Sequence, residues 1–206
     1  MIVAVDGPAA SGKGTLAKAI ARYLQLPHMD TGLLYRAAAL NLLQMGLDPD
    51  SEFAAARACD ISQIDVDDPE LKSEMVGGIA SRISAYPLVR EALLERQRAF
   101  ASRPGGAVLD GRDIGTVIAP DAHAKLFVTA AAEVRARRRC LELEQLGLQV
   151  QYEDVLTDIH ARDVRDAERA SAPLKPAADA HVLDTSTLSA AEAIAAAIQW
   201  VESCRP

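Results

Sequence analysis

The segment with the clearest chemistry is the glycine-rich stretch 7–15, which has the sequence GPAASGKGT. Gly7, four residues and then Gly12-Lys13 is the spacing of a phosphate-binding P-loop. Glycines allow the backbone to turn so that successive N–H groups point at an anion, and the following helix adds its positive N-terminal partial charge. Lys13 supplies a full charge for β- and γ-phosphates. The alternative, a turn that binds nothing, is disfavoured by the strand pattern before the loop and the helical pattern after it.

The residue after Lys13 departs from the strict P-loop pattern. It is Gly14, so the hydroxyl that usually follows the lysine comes one position later, at Thr15. Two roles remain open for this hydroxyl, a contact to a phosphate or a place near Mg²⁺. We predict no direct metal ligand in the loop, and we expect Mg²⁺ to arrive with the nucleotide, near Thr15 and Asp110.

The elements that must position this loop follow from hydrophobic periodicity. Residues 2–6 form a short apolar strand pattern, and a helical pattern opens at Lys13. A second helix is predicted from after 30–32 to Met45, and residues 48–68 are predicted to be irregular with one short helix and one short strand. The other predicted strands are 107–110, 125–128 and 182–183, and the other predicted helices are 70–85, 87–102, 130–145, 152–170 and one opened by a capping box at 189–192. This order predicts a doubly wound parallel sheet with helical insertions over its top.

Composition limits the class of protein. The 206 residues have a formal net charge of −7, so we expect no nucleic-acid polymer as a partner. Three widely spaced cysteines without a CxxC favour a reduced, intracellular protein. No stretch reaches 18 apolar residues and the N-terminus does not resemble a signal peptide, so we expect no membrane partner and a cytoplasmic location. Seventeen of the 22 basic residues are arginine, which suits bidentate phosphate binding, although a compositional bias explains the count better.

A second chemical group follows the predicted strand 107–110. Asp110-Gly111-Arg112-Asp113 lies at its carboxyl end, where parallel sheets bind ligands. Asp110 is placed like the acid of a Walker B motif, near Mg²⁺ or its waters, and Arg112 suits a phosphate. Asp113 can accept a hydrogen bond from an exocyclic amino group, as carboxylates do with cytosine. The alternative, a β-turn with a surface ion pair, is less favoured at a strand end.

Blocks along nearly the whole chain resemble one enzyme family. The Gly-Lys-Gly-Thr form of the loop is similar to that of the nucleoside monophosphate kinases. The other blocks are DTGLLYR at 30–36, PLVREAL at 87–93, DGRDIGT at 110–116, and RDVRD with the arginine and Pro-Leu after it at 162–174. In this order they resemble the bacterial cytidylate kinases, and together they are far more specific than the loop alone.

The resemblance implies a fold and a division of the chain. The fold class is α/β, a three-layer P-loop kinase fold whose central parallel five-stranded sheet is flanked by helices, with a short helical acceptor-binding insertion and a helical lid. The chain 1–206 would be a single P-loop kinase domain. Its parts would be a core of about 1–45, 87–130 and 171–206, an acceptor-binding insertion of about 46–86 and a lid region of about 131–170.

The resemblance also implies the reaction, which is transfer of the γ-phosphoryl group of ATP to CMP, with dCMP accepted and UMP used poorly. Mg²⁺ would accompany ATP, and we expect a monomer. The implied ATP-binding residues are Gly7, Pro8, Ala9, Ala10, Ser11, Gly12, Lys13, Gly14, Thr15 and Arg138. The implied CMP-binding residues are Thr31, Arg36, Ser81, Arg90, Arg112, Asp113, Arg162, Asp166 and Arg169. The residues expected to act in catalysis are Lys13, Asp110, Arg112 and Arg162.

Several of these residues have plainer interpretations by spacing alone. Ser81 and Arg90 are ordinary helix residues, which only the resemblance places at the base. Thr31 and Arg36 fit a helix cap and a surface charge as well as they fit a ligand. The stripe of Arg162, Asp166 and Arg169 favours ion pairs within a generic helix, and only the resemblance places it at the ribose and phosphate of CMP.

A second arginine stripe leaves two interpretations equally open. Arg135, Arg138 and Arg139 recur at helical spacing, and they suit either a mobile lid over ATP phosphates or a solvated basic face offset by Glu142 and Glu144. The four histidines show neither metal-ligand spacing nor a neighbouring nucleophile, so we expect structural roles for them.

The chain departs from the family pattern on the acceptor side. Residues 60–74 are too few for the three-stranded insert that members often contain, so we expect a trimmed, mostly helical and less enclosing subdomain. Two other functions stay open on the sequence alone. One is a P-loop kinase for another small acceptor, such as shikimate or a different nucleotide, and the other is an ATP-binding regulator without catalysis.

Overall fold

A five-stranded parallel sheet forms the centre of the molecule. The computed structural model describes residues 1–65 and 67–205. The strands are β1 (Ile2–Asp6), β2 (His28–Asp30), β3 (Ala107–Gly111), β4 (Ala124–Thr129) and β5 (His181–Asp184). Their order across the sheet is β2-β3-β1-β4-β5, and every neighbouring pair is parallel. The predicted α/β class, with a five-stranded parallel sheet flanked by helices, is therefore confirmed.

Helices connect the strands and cover both faces of the sheet. The α-helices are α1 (Lys13–Leu24), α2 (Thr31–Gln44), α3 (Glu52–Arg57), α4 (Glu74–Ile83), α5 (Pro87–Ala101), α6 (Ala132–Gln145), α7 (Tyr152–Glu168) and α8 (Ala190–Ser203). Residues Pro69–Lys72 form a 3₁₀-helix and Ile114–Ile118 form one turn of π-helix. The capping box predicted at the start of the last helix is confirmed, because Ser189 and Glu192 hydrogen-bond reciprocally. Within residues 1–65 and 67–205, none of the helices has the length and apolar character needed to cross a membrane.

The sheet register brings acidic residues together at the carboxyl ends of neighbouring strands. Asp30 pairs with Asp110 across β2 and β3, and Asp6 pairs with Gly111 across β1 and β3. The middle strands are buried along nearly their whole length, because helices pack on both faces. The carboxyl ends of three strands therefore meet beside the loop that follows β1.

Three details of the predicted element pattern are wrong. The sequence pattern located only four strands of the sheet, and the fifth is His28–Asp30, which is too short and polar to give an apolar run. No strand forms among residues 48–65 and 67–68, where α3 is the short helix that was predicted. The helix predicted over 70–85 is divided at Ser73, whose extended backbone and side-chain hydrogen bond to the N–H of Val76 cap a new helix.

The segment between α2 and α5 is short and helical, as expected from its length. Helix α3, the 3₁₀-turn and α4 pack on α2 around a continuous apolar cluster that includes Leu40, Leu71 and Ile83. Helices α6 and α7 pack together on the other side of the site, within the region predicted as a lid. Movement of this pair as a lid stays a prediction.

Candidate active site

The loop between β1 and α1 has a backbone that glycine makes possible. A Cβ at Gly7 would lie 2.0 Å from the carbonyl oxygen of Val128, and Gly12 has a φ of 89°. Ala10 adopts a φ of 57°, a conformation that is uncommon for a residue with a side chain. Gly12 is the N-cap of α1 and provides no side-chain cap, so the first N–H groups of the helix are left for a ligand.

Lys13 is held inside this loop. Its side chain is buried, and its Nζ donates a hydrogen bond to the carbonyl of Pro8 at 3.2 Å. Burial, and then the nearby guanidinium of Arg112, lower the pKa of Lys13 from 10.5 to about 8, against the attraction of Asp110. A buried ammonium whose pKa is lowered in this way is stabilised when an anion binds beside it.

Carboxylates occupy the adjacent ends of the strands. Asp110 Oδ1 lies 2.7 Å from Nε2 of His28, and Asp30 caps α2 by accepting from the N–H of Gly32 at 2.9 Å. Burial, and then the proximity of Asp110, raise the pKa of Asp30. Sequence reasoning did not assign His28 or Asp30 to the site, because the strand that presents them was not predicted.

A third carboxylate, Asp6, supports the turn after β3. It accepts hydrogen bonds from the N–H groups of Ile114 and Gly115, each at 2.8 Å. Burial raises its pKa from 3.8 to about 6, while these two hydrogen bonds act in the opposite direction. Asp6 thereby fixes the segment that presents Arg112 and Asp113.

A cavity beyond Asp110, called here the arginine cavity, gathers residues from five separate segments. All nine residues that the resemblance implies for CMP binding line this cavity. The cavity is lined by Thr31, Gly32, Tyr35, Arg36, Gly77, Ala80, Ser81, Ser84, Arg90, Gly111, Arg112, Asp113, Arg162, Asp166 and Arg169. Sequence reasoning did not assign Tyr35, although it lies in the block 30–36, and it missed Ser84, which has no motif of its own. Side chains that lie up to 138 positions apart in the sequence thus face one space.

Ion pairs organise the arginine cavity. The carboxylate of Asp113 pairs with Arg90 and lies 3.7 Å from Nη2 of Arg169, and all three side chains are buried. Arg112 donates through Nε to Asp166 at 3.2 Å. These pairs join the strand-end turn to α5 and α7. Asp166 and Arg169 therefore pair outside their helix, whereas Arg162 pairs within α7, with Asp158.

The two hydroxyl residues and Arg36 are also engaged. Thr31 donates to the backbone carbonyl of Asp110 at 2.8 Å, and Ser81 accepts from Nε of Arg165 at 3.2 Å. Arg36 donates to the carbonyl of Leu71 at 2.7 Å. Burial, and then repulsion from neighbouring guanidinium groups, lower the pKa of Arg36 to about 10.

A second space, the central cleft, connects the loop to the arginine cavity. It shares Gly32, Arg36, Arg112 and Arg162 with that cavity. Its other lining residues are Ala9, Ala10, Lys13, Gly14, Asp30, Glu74, Asp110, Arg139, Glu142, Val155, Asp158 and Ile159. The four residues expected to act in catalysis all line this cleft.

A third space, the loop cavity, lies on the outer side of the loop. It is lined by Ser11, Gly12, Thr15, Arg138, Thr185 and Leu188, among others. Arg138 donates to the carbonyl of Thr185 at 2.7 Å and to that of Ser11 at 3.4 Å. Within the described residues, the buried hydroxyl of Ser11 has no hydrogen-bond partner. The loop cavity leaves room beside Arg138 for the parts of a nucleotide other than the phosphates on the loop.

The arginine stripe of α6 is not a solvated basic face. Arg135 is buried and pairs with Asp163, with 2.6 Å between Nη2 and Oδ2, and Arg138 contacts the loop cavity. Arg139 faces the central cleft and pairs with Glu74 as well as Glu142. Of the three arginines, only Arg139 has the kind of pairing along its own helix that the solvated interpretation requires.

The acidic residues at the strand ends suit a Mg²⁺ ion that they contact through water. Asp30 and Asp110 supply hard oxygen donors in the central cleft beside Lys13, which fits an ion held through water and nucleotide oxygens. A cluster of three or more candidate metal ligands is not found in residues 1–65 and 67–205. Thr15 lines the loop cavity whereas Asp110 lines the central cleft, so the two groups do not face the same space.

Comparison with known proteins now identifies the family. A family model described as cytidylate kinase matches residues 3–203. The chain belongs to the cytidylate kinase family. It is 56% identical to a cytidylate kinase of Methylocella silvestris over 98% of this chain and 94% of the relative, and 55% identical to one of Xanthobacter autotrophicus over 100% and 99%. These matches span nearly the whole length of this chain and of both relatives.

A solved structure supports the fold at much lower identity. An uncharacterized protein from Eubacterium ventriosum superposes with a TM-score of 0.57 at 14% identity, covering 98% of this chain and 99% of that protein. At this identity the likeness concerns the fold alone. The membership in the cytidylate kinase family rests on the sequence matches.

Proposed function

We propose that this chain transfers the γ-phosphoryl group of ATP to CMP, which yields CDP and ADP. The observation that supports this most directly is the arginine cavity, whose lining includes the nine residues implied for CMP and opens on the central cleft beside Lys13. The family membership is consistent with this reaction. It also leaves the alternatives, a kinase for a shikimate-like acceptor and a non-catalytic regulator, without support.

In this proposal, the loop binds the triphosphate and the arginine cavity binds the monophosphate. A phosphate oxygen of CMP forms the new bond to the γ-phosphorus, while the bond from that phosphorus to the β–γ bridging oxygen breaks and its electron pair stays on ADP. Lys13, Arg112 and Arg162 stabilise the charge on the transferring group, because they line the space between the two sites. Mg²⁺ bound to ATP would supply further charge stabilisation, near Asp30 and Asp110.

The base of CMP is proposed to lie beside Asp113. This carboxylate can accept from the exocyclic amino group of cytosine, which uracil lacks. Ser81 and Arg90 lie in the same cavity and complete a polar environment for the base. Arg162 and Asp166 are proposed to contact the ribose, and Arg36, Arg112 and Arg169 the phosphate.

A panel of acceptors tests this function. With ATP as donor and coupled detection of ADP, we expect kcat/KM for CMP and dCMP to exceed that for UMP at least about tenfold, the scale of one lost hydrogen bond to a charged group. AMP and shikimate should give background rates, which serve as controls. Comparable rates with all nucleotides would contradict the role of Asp113, and no turnover with CMP would contradict the function itself.

The lowered pKa of Lys13 leads to a second prediction. In the free protein this pKa is about 8, and a bound triphosphate restores it toward its usual higher value. ATP binding should then take up a fraction of a proton at pH 8, about half, and ATP affinity should fall as the pH rises above 8. Calorimetry in two buffers of different ionisation enthalpy measures this uptake. Lys13→Met is the control, and equal uptake by both proteins would show that another group is responsible.

We also propose a cytoplasmic monomer that uses only these small substrates. The net charge of −7 argues against binding of a nucleic-acid polymer. The three widely spaced cysteines favour a reducing compartment.

A further inference from the structure

One carboxylate connects the short helical insertion to the helices on the opposite side of the central cleft. Glu74, the first residue of α4, accepts from Nε of Arg139 on α6 at 3.1 Å through Oε1. Its other oxygen, Oε2, lies 3.4 Å from Nη2 of Arg162 on α7. No sequence motif singles out Glu74, and its partners lie 65 and 88 positions away.

Three arginines surround Glu74 in the central cleft. Arg36, Arg139 and Arg162 all line the central cleft with it. Repulsion from Arg162 and Arg139 helps to lower the pKa of Arg36, and Glu74 acts in the opposite direction. Arg36 also lies against α4, since a Cβ at Gly77 would be 2.8 Å from its Nη2. The carboxylate of Glu74 therefore offsets a repulsion that three arginines would otherwise exert on one another.

The other carboxylates near these arginines do not bridge the cleft. Glu142 pairs with Arg139 from one turn along α6, and Asp158 lies 2.7 Å from Nε of Arg162 on α7 itself. Each of them contacts one arginine from the same helix. Glu74 alone among these three carboxylates comes from the insertion and contacts both.

The N–H groups that Glu74 occupies belong to guanidinium groups, which also bind phosphates. Carboxylates and phosphates use the same guanidinium donors, so the two anions compete for them. The side chain of Glu74 is 41% exposed, so water screens its ion pairs and breaking them costs little free energy. After the phosphates have entered, its negative charge would face theirs across a short distance.

We propose that Glu74 stands in for substrate phosphate in the free enzyme: it neutralises and orients Arg139 and Arg162, and the entering phosphates displace it. This inference rests on the proposed function. Glu74 is a positioning residue in this role, because it acts through two arginines. Its charge stabilises the ligand-free protein and opposes substrate binding.

Replacement of Glu74 by Gln separates these effects, because glutamine keeps the shape and removes the charge. We expect E74Q to lower the KM values for CMP and ATP by roughly threefold to tenfold, the range expected of one partly screened charge, and to lower the Tm of the free protein. E95Q is the matched control, because this substitution changes the net charge by the same amount. Glu95 is exposed on α5 and lines neither of the two cavities nor the central cleft. E95Q should alter neither quantity.

A lower Tm with unchanged KM values would show a purely structural role and overturn the proposal. Higher KM values would also overturn it. Titration with inorganic tripolyphosphate makes the test independent of turnover. It should bind E74Q and E74A more tightly than the wild-type protein, and equal binding would overturn the proposal. Absence of CMP turnover in the wild-type protein would instead overturn the proposed function, while the tripolyphosphate titration would still test Glu74.

Discussion

Lys13→Met should reduce kcat by roughly 10²–10³-fold or more, the scale seen when one preorganised donor to a developing charge is removed. Lys13 is the one cation of the loop itself, and it faces the central cleft in which the proposed transfer takes place. The loss should appear mainly in kcat, because the backbone N–H groups at the start of α1 would still bind phosphates. Steady-state assays at saturating CMP and ATP measure it.

The fold of this variant should survive. The buried ammonium already has a pKa lowered to about 8 by desolvation, so replacing it with an apolar side chain of similar length removes an unfavourable burial. We expect a Tm equal to or above that of the wild-type protein. Lys18→Met is the control, since Lys18 is exposed on the same helix. A K13M variant that keeps the wild-type rate, with this control unchanged, would mean that the loop does not bind the donor phosphates.

The loop was predictable because its chemistry is local. The spacing of Gly7, Gly12 and Lys13 specifies backbone turns and a helix start within nine residues, and the apolar run before it specifies the strand. The strand-end position of Asp110 was predictable on the same grounds, since parallel sheets place such residues at a ligand edge. These inferences need no knowledge of distant parts of the chain.

The acceptor side was predictable only through resemblance. Ser81 and Arg90 lie on ordinary amphipathic helices, and their convergence with Asp113 depends on how α4 and α5 pack against the sheet. Such packing joins segments that are tens of residues apart, and helix periodicity shows only which face is buried. Their placement in one cavity follows from the tertiary structure, whereas their roles in binding CMP stay a proposal.

Other features left no sequence signal. The strand with His28 has three residues, none of them fully buried, and it forms because the backbone of β3 is available for parallel pairing. The pairing of Glu74 with Arg139 joins two exposed-looking helix positions that only the fold brings together. Charge pairs across a cleft depend on tertiary distance, so spacing rules for single helices do not detect them.

The buried pairing of Asp113 has the largest consequence for the acceptor. Its carboxylate contacts Arg90 and lies near Arg169, and it is also the group proposed to accept from cytosine. Asp113→Asn should therefore raise the KM for CMP by roughly 10²-fold, because two buried guanidinium groups lose their counter-charge and the base loses its acceptor. The KM for ATP should change little, since Asp113 does not line the loop cavity or the central cleft.

Stability and specificity distinguish the two roles of Asp113. Loss of a buried ionic partner should lower the free energy of unfolding by about 3 kcal/mol, which denaturant unfolding would measure. Asp121→Asn, at an exposed position, should be neutral and controls for the change in charge. If Asp113 also binds the base, the preference for CMP over UMP should shrink together with the loss of affinity, because asparagine can present its amide N–H to either pyrimidine. An unchanged preference would limit Asp113 to holding Arg90 and Arg169, and equal increases in both KM values would remove it from the acceptor site.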